Sequence, residues 1–318
     1  MNASCLASLQ RAWERTRRLL FLPFRLETWL VLGFAAFLSE WLSGGWGGSG
    51  ARSTFHRHHV SEVGPRLRHL FLDTFWGPLL IALAVVAIIA WVVCQWLSAR
   101  GKFVLLDGVV QERARIAEPW SRYARQGNSL FFWRIGFYLV SGVLAGGVLL
   151  GTAGAAVLGW LGFRSPVALA PPILAGLAMF VLIALVGAFI LLLLDAFVVP
   201  LMYRHGLTTS QAWGRFLPLF RENLGGFVRF ALFCLAIAIV LGIAVMAVGF
   251  ATCCVGFLVL ALPYVGQVVL LPVYVVLRAF GPEFLAQFGP EFDVLTRPAA
   301  GEAPSPVPPA APGTGGPA

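Results

Sequence analysis

Leu193-Leu194-Asp195-Ala196-Phe197-Val198 is the stretch on which the fold turns, because its pattern is already written once at Leu105-Leu106-Asp107-Gly108-Val109-Val110. Each copy ends an apolar run in an acid. Basic residues follow, Arg204 and His205 in one copy and Arg113 and Arg115 in the other. A Trp-x-Arg-aromatic cluster comes next, Trp213-Gly214-Arg215-Phe216 and Trp120-Ser121-Arg122-Tyr123, and then a new apolar run. An apolar helix that stops at an acid beside Trp and Arg is the pattern of a membrane span reaching an aqueous face. Ala12-Trp13 with Arg15 matches Ala212-Trp213 with Arg215, so the N-terminal helix reads as a third, partial copy. The copies lie on one side, so the repeat is expected to be parallel.

Composition agrees. Hydrophobic residues make up 59% of the chain and charged residues 12%, with a mean hydropathy of +0.83. A soluble domain carries about 45–50% apolar and about 25% charged residues. The expected fold is therefore all-α: a polytopic integral membrane protein with about six spans of roughly 20 residues. The spans are expected near 27–42, 75–97, 132–161, 172–202, 227–250 and 263–284, making one helical transmembrane domain over 1–297. The Pro-, Ala- and Gly-rich stretch at 298–318 reads as a disordered tail.

The net charge of +9 comes from arginine; Lys102 is the only lysine. In a soluble protein that balance would point to nucleic acid, but here arginine at span ends meets anionic lipid, and no nucleic-acid partner is expected. Basic residues crowd the N-terminus and the second-to-third and fourth-to-fifth connections; the opposite side holds Arg52, Arg57, Arg66, Arg68 and Arg164. This asymmetry places both termini in the cytoplasm of a multi-pass protein of the bacterial inner membrane. Arg11, Arg15, Arg17 and Arg18 precede an apolar run that Pro23, Arg25 and Glu27 interrupt, so the first span is expected to be an uncleaved anchor.

Three kinds of surface device follow. Residues 4–22 read as a basic amphipathic helix with Leu6, Leu9, Trp13 and Leu20 near one face. Ile116, Trp120 and Tyr123 mark a second interfacial helix over 116–126, stopped at Gly127-Asn128. Thr208-x-x-Gln211 fits a capping box for a third, and Asn223-Leu224-Gly225-Gly226 turns the chain back. Trp13, Trp120 and Trp213 are the expected interfacial anchors. In the third span, Gly142-x-x-x-Gly146 and Gly147-x-x-x-Gly151 would permit close helix approach.

The candidate polar site is Asp107 and Asp195 with the arginines nearest in sequence: Arg122 and Arg134 for Asp107, and Arg204, Arg215 and Arg229 for Asp195. Intramembrane acids mark function, but two at matching repeat positions also suit an Asp–Arg clasp that pins each interfacial helix to its span. His56, His58 and His59 could hold a metal, yet no carboxylate or cysteine completes the spacing, and a solvated basic loop is the plainer reading. The five cysteines have no Cys-x-x-Cys spacing and read as soft packing residues. No His-Glu-x-x-His, Gly-x-Ser-x-Gly, Walker or dinucleotide pattern occurs, so neither an enzyme nor a cofactor is indicated.

The run Ala212-Trp213-Gly214-Arg215 to Asn223-Leu224-Gly225-Gly226 resembles a pattern shared by uncharacterised bacterial six-span membrane proteins. The same holds for Cys253-Cys254, Leu262-Pro263-Tyr264-Val265-Gly266, Pro272, Arg278 and Gln287-Phe288-Gly289-Pro290-Glu291-Phe292-Asp293. That family is similar to the membrane domain attached to some glycerophosphodiester phosphodiesterases, and the resemblance covers most of residues 1–293. It implies no phosphodiesterase activity, since the catalytic domain is absent. Two functions fit the sequence. One is a non-catalytic membrane protein that organises the envelope or assembles a complex, with the lipid bilayer and other membrane proteins as partners. The other is a transporter or carrier of lipid or small amphiphilic solutes.

Overall fold

A computed structural model describes residues 4–22, 24–41, 76–113, 115–163, 169–252 and 255–295. Every regular element among them is helical. In chain order these are α1 (Cys5–Leu20), α2 (Leu26–Ala36), α3 (Trp76–Gln111), α4 (Ala117–Arg122), α5 (Ala124–Phe163), α6 (Ala170–Leu193), α7 (Val199–His205), α8 (Thr209–Glu222), α9 (Leu224–Ala251), α10 (Val255–Ala261), α11 (Pro263–Val269) and α12 (Leu271–Leu285). Two π-helical turns, Phe37–Trp41 after α2 and Leu194–Val198 between α6 and α7, carry Glu40 and Asp195.

Four stretches are long and apolar enough to cross a membrane: Pro78–Gln111, Ala124–Gly162, Ala170–His205 and Leu224–Ala251. One half of each presents apolar side chains outward, among them Ile81 and Ile88, Leu150 and Leu158, Leu174 and Leu185, Ile239 and Phe250. Such continuous exposure is untenable in water and suits hydrocarbon. The other half packs into a core of Phe103 to Leu106, Leu193 to Met202, Phe216, Phe227, Phe230 and Phe284. Phe197 is its hub, with ring centroids 4.8–6.0 Å from Phe216, Phe227, Phe230 and Phe284. Aromatic pairs at this spacing each contribute about 0.5–1.5 kcal/mol beyond area burial, which fixes the second π turn firmly.

The remaining expected spans are shorter and broken. The first falls on α2, 11 residues long, and the π turn of 5 that follows it. The sixth divides into α11, of 7 residues, and α12, of 15. Pro272 has no N–H with which to continue α11, and Leu270 leaves helical geometry at ψ 4°.

Local signals fared unevenly. The capping box on α8 forms, with the Thr208 backbone N–H donating to Gln211 Oε1 at 3.0 Å. The second interfacial helix is only Ala117–Arg122, and Gly127 lies inside α5 rather than ending a helix. The left-handed stop is Gly206 at φ 66°, after α7. At Gly142, Gly146, Gly147 and Gly151 nothing lies within 4 Å of where a Cβ would stand, so among the described residues no helix packs on that face. α1 buries Ser8, Ala12, Thr16, Leu19 and Leu20, while Leu6 and Trp13 face outward. The small residues are what let α1 lie close against α12.

Candidate functional site

Gln95, Ser98 and Lys102 follow one another at helical spacing on α3, and all three are buried. A polar stripe inside an apolar helix must find polar partners, because an unpaired buried donor costs about 1–3 kcal/mol. For Ser98 and Lys102 the two π turns supply them. A π turn holds one residue more than an α-turn and leaves carbonyls without their usual partners; such turns recur at functional sites. The Ser39 carbonyl in the first turn accepts from Ser98 Oγ at 2.9 Å. Asp195 Oδ2 in the second accepts from Lys102 Nζ.

Two glycines bring the backbones together. A Cβ on Gly101 of α3 would stand 2.8 Å from Leu38 Cβ and 3.0 Å from the Ser39 backbone nitrogen. On Gly281 of α12 it would overlap the carbonyl oxygen of Ala196, beside Asp195. Each acid-bearing turn is thus held by a neighbouring helix at a residue without a side chain.

Two more cations complete the cluster. Arg278 of α12 donates to the Lys102 carbonyl at 2.9 Å. Arg134 of α5 donates to Ser98 Oγ at 3.4 Å and to the Tyr138 hydroxyl at 3.1 Å. Lys102, Arg134 and Arg278 are 1%, 3% and 8% exposed, so all three are charges taken out of bulk water. Arg134, Arg278, Asp195 and Glu40 line a cavity of about 350 Å³. Its polar wall adds Tyr138 and Tyr274; its apolar wall is Leu191, Leu192, Phe230, Leu277 and Phe280. Asp195 is a third exposed, and that surface faces the cavity, while Lys102 stands behind it. Lys102, Arg134 and Arg278 bring three positive charges to this cluster, and Asp195 and Glu40 bring two negative ones. Among the described residues no group accepts from the Nε atoms of Arg134 and Arg278 or donates to Asp195 Oδ1, and all three atoms are sealed from solvent. The arrangement can hold an anion.

Asp107 lies elsewhere, 1% exposed. Its Oδ1 accepts from Gln111 Nε2 and from the Tyr203 hydroxyl, each at 2.8 Å. Tyr203 packs on Tyr123 with ring centroids 4.9 Å apart, and Tyr123 stacks on Phe103. Burial lifts the Tyr123 phenol above its ordinary pKa, which keeps it a neutral hydroxyl.

A search of protein families meets this chain over residues 3–290. It belongs to the family of unknown function DUF7544. No curated protein and no solved structure matches it. For this DUF7544 member the function must come from the site itself.

The structure brings Asp195 and Arg134 together, although Arg134 was expected beside Asp107. The ion pair of Asp195 is with Lys102, in place of the expected Arg204, Arg215 or Arg229. Those three are not equivalent to one another: Arg204 is half-buried, Arg215 is exposed, and exposed Arg229 donates to the Gly225 carbonyl of its own helix. Arg122 is exposed, 5.8 Å from the Tyr123 ring centroid. Trp13 faces outward. Trp120 packs edge-on against Trp96 beneath Arg100, and Trp213 stacks on Trp133. His56, His58 and His59 lie outside the described residues, and no metal-binding group of His, Cys, Asp or Glu forms among the described ones.

Sequence reasoning missed Lys102, Arg278 and Glu40. The available signal was the Gln95, Ser98, Lys102 spacing.

Proposed function

We propose that this protein binds and carries an anionic amphiphile, with the charged head in the cavity of Arg134, Arg278 and Asp195. The observation that carries the reading is a pair of buried arginines, Arg134 and Arg278, lining a cavity with one apolar wall. The depth supports it. Asp195 is about 37 Å along the helix from Ala170, and Arg134 about 42 Å from Gly162, at about 1.5 Å per residue. A span that enters hydrocarbon near those outer ends leaves it after about 30 Å. The cavity then stands at the level of lipid headgroups, with Leu191 and Leu192 on the acyl side. A solute of the aqueous phase would need no such apolar wall.

Six crossings in a bacterial inner membrane, with parallel repeats and both termini cytoplasmic, belong to the same proposal. The two broken segments, at 26–41 and 263–285, would supply the first and last. Leu6 and Trp13 on α1 would then rest on the cytoplasmic lipid surface. Kinship with the membrane domains attached to some glycerophosphodiester phosphodiesterases, on the patterns at 212–226 and 262–293, is part of this reading.

The test is binding of diacyl lipids to the purified protein, followed by native mass spectrometry. An anionic phospholipid should bind at least about tenfold more tightly than phosphatidylcholine, and Arg134→Gln with Arg278→Gln should remove the difference. Equal retention of both lipids by the wild type would dismiss the carrier and return attention to an envelope-organising role.

A further inference from the structure

The geometry points to the route by which the ligand enters and to the lie of its chain. We infer that the cavity opens sideways at Ala188 into the hydrocarbon of the nearer leaflet, and that the ligand's acyl chain leaves through this mouth along one face of α6. This rests on the anionic-amphiphile reading above and adds where the chain goes. Three observations combine. The first is exposure. Among the described residues that line the cavity, Ala188 alone is exposed. A side chain of one methyl group has no reach, so the surface it shows to the outside adjoins the surface it shows to the cavity. Ala188 is about 27 Å along the helix from Ala170, inside the span of about 30 Å that hydrocarbon covers. The mouth therefore opens into lipid.

The second is closure on the side of α7 and α8. There the cavity floor runs into the packed core of Phe197, Phe216, Phe227, Phe230 and Phe284, all buried. Buried Lys102 and Phe103 close the side of α3. A ligand arriving through these walls would have to part a close-packed core. The third is the face of α6 itself. Val181, Leu185, Ala188, Leu192 and Asp195 recur at alternating intervals of four and three, which sets them on one side of the helix. Val181 and Leu185 are exposed, and Leu192 is half-buried in the cavity wall. This face passes from hydrocarbon into the cavity with no polar residue before Asp195. Asp195 to Leu185 is about 15 Å, one leaflet's share of about 30 Å of hydrocarbon. A chain whose head lies in the cavity thus ends near Leu185.

The test fills the mouth. Dioleoyl phosphatidylglycerol is titrated into the full-length protein in dodecylmaltoside, with binding read by native mass spectrometry and folding by thermal unfolding. Ala188→Trp should weaken binding at least about tenfold, while the melting temperature without lipid stays at the wild-type value. Val186→Trp is the control. Val186 is also exposed, but two residues turn a helix through about 200°, so it points about 160° away from Ala188 at nearly the same depth. That variant should bind within about twofold of wild type. Should Ala188→Trp fail to fold, Ala188→Leu carries the same comparison with an expected loss of about threefold.

Wild-type affinity in Ala188→Trp would overturn the mouth while leaving the anionic-amphiphile reading intact. Equal losses in Ala188→Trp and Val186→Trp would overturn it too, since bulk anywhere on α6 would then suffice. A wild type that binds phosphatidylglycerol no better than phosphatidylcholine would remove the parent reading and this inference with it. A further comparison needs no variant. Chainless glycerophosphoglycerol competes with the lipid for the wild-type protein. Displacement at equal concentration would overturn the sideways route in favour of entry from water, and displacement only at large excess supports it.

Discussion

Asp107 accepts hydrogen bonds from Gln111 and Tyr203, both neutral; Asp195 accepts from Lys102 and shares its surroundings with Arg134 and Arg278. In sequence the two acids are interchangeable, each ending a Leu-Leu-Asp run. The order long helix, short helix, long helix also recurs around them, as α3, α4, α5 and as α6 with α7, α8, α9. What separates them is the rest of the molecule. Lys102 and Asp107 share α3, but five residues turn a helix through about 500°, so their side chains point about 140° apart. Lys102 therefore looks across to the π turn of Asp195 rather than along its own helix. A shared sequence pattern can set where an acid stands on its helix; which charge answers it depends on the helices packed around it, for Asp195 α3, α5 and α12.

The comparison can be broken most directly at Lys102. Lys102→Met should leave Asp195 without its ion-pair partner and cost about 3 kcal/mol, Arg134 and Arg278 still answering part of its charge. The same change paired with Asp195→Leu should recover most of that, since apolar replacement of a whole buried pair is often near neutral. Thermal unfolding of the detergent-solubilised protein, single against double variant, reads both. A double variant as unstable as the single one would mean that Lys102 serves some partner other than Asp195.

Next in size is Gly281→Ala. The new methyl group would overlap the Ala196 carbonyl, which is backbone and cannot swing aside, and overpacking of this kind costs about 1–3 kcal/mol. Gly142→Ala, in open space on α5, is the control and should leave the melting temperature unchanged or slightly raised. A matching loss at both positions would show that the effect is not the Ala196 contact.

Around Asp107 the effects should be smaller. Tyr203→Phe removes a 2.8 Å donor to the carboxyl and should cost about 1.5 kcal/mol. Asp107→Asn keeps an acceptor for both donors and should cost about 1 kcal/mol or less. Lipid binding should be untouched by either. If Asp107→Asn proved as damaging as loss of Lys102, or abolished lipid binding, the two acids would be partners in one function and the contrast drawn between them would fail.

Membrane character was plain in the sequence because it rests on bulk hydropathy and on runs such as Leu191-Leu192-Leu193-Leu194, which no tertiary contact can reverse. The four long helices fall where apolar runs are unbroken, but α3 runs on to Gln111, past the expected end at 97, and α5 begins at Ala124, ahead of the expected start at 132. Apolar composition says nothing of the π turn at Phe37–Trp41, whereas Pro272 marks the break before α12 in the sequence itself. The π turn depends on main-chain hydrogen bonds, which side-chain identity controls only weakly away from proline. At the site, Asp195 and Arg134 were visible as charges in apolar surroundings. Lys102, Arg278 and Glu40 were hidden by their closeness to span ends, where a charge ordinarily meets water. Only three-dimensional packing shows that Lys102 is sealed in.

Gly281 lies bare against the Ala196 carbonyl, and α12 also lies along α1, where Arg11 Nε reaches Glu283 at 3.0 Å. Main chain touching main chain leaves no compliant side chain to absorb a displacement. Any rearrangement of the Asp195 turn must therefore push α12, and α12 must drag the amino-terminal helix. Filling the cavity should therefore tilt that helix, and a label on α1 should report events at the cavity without touching it.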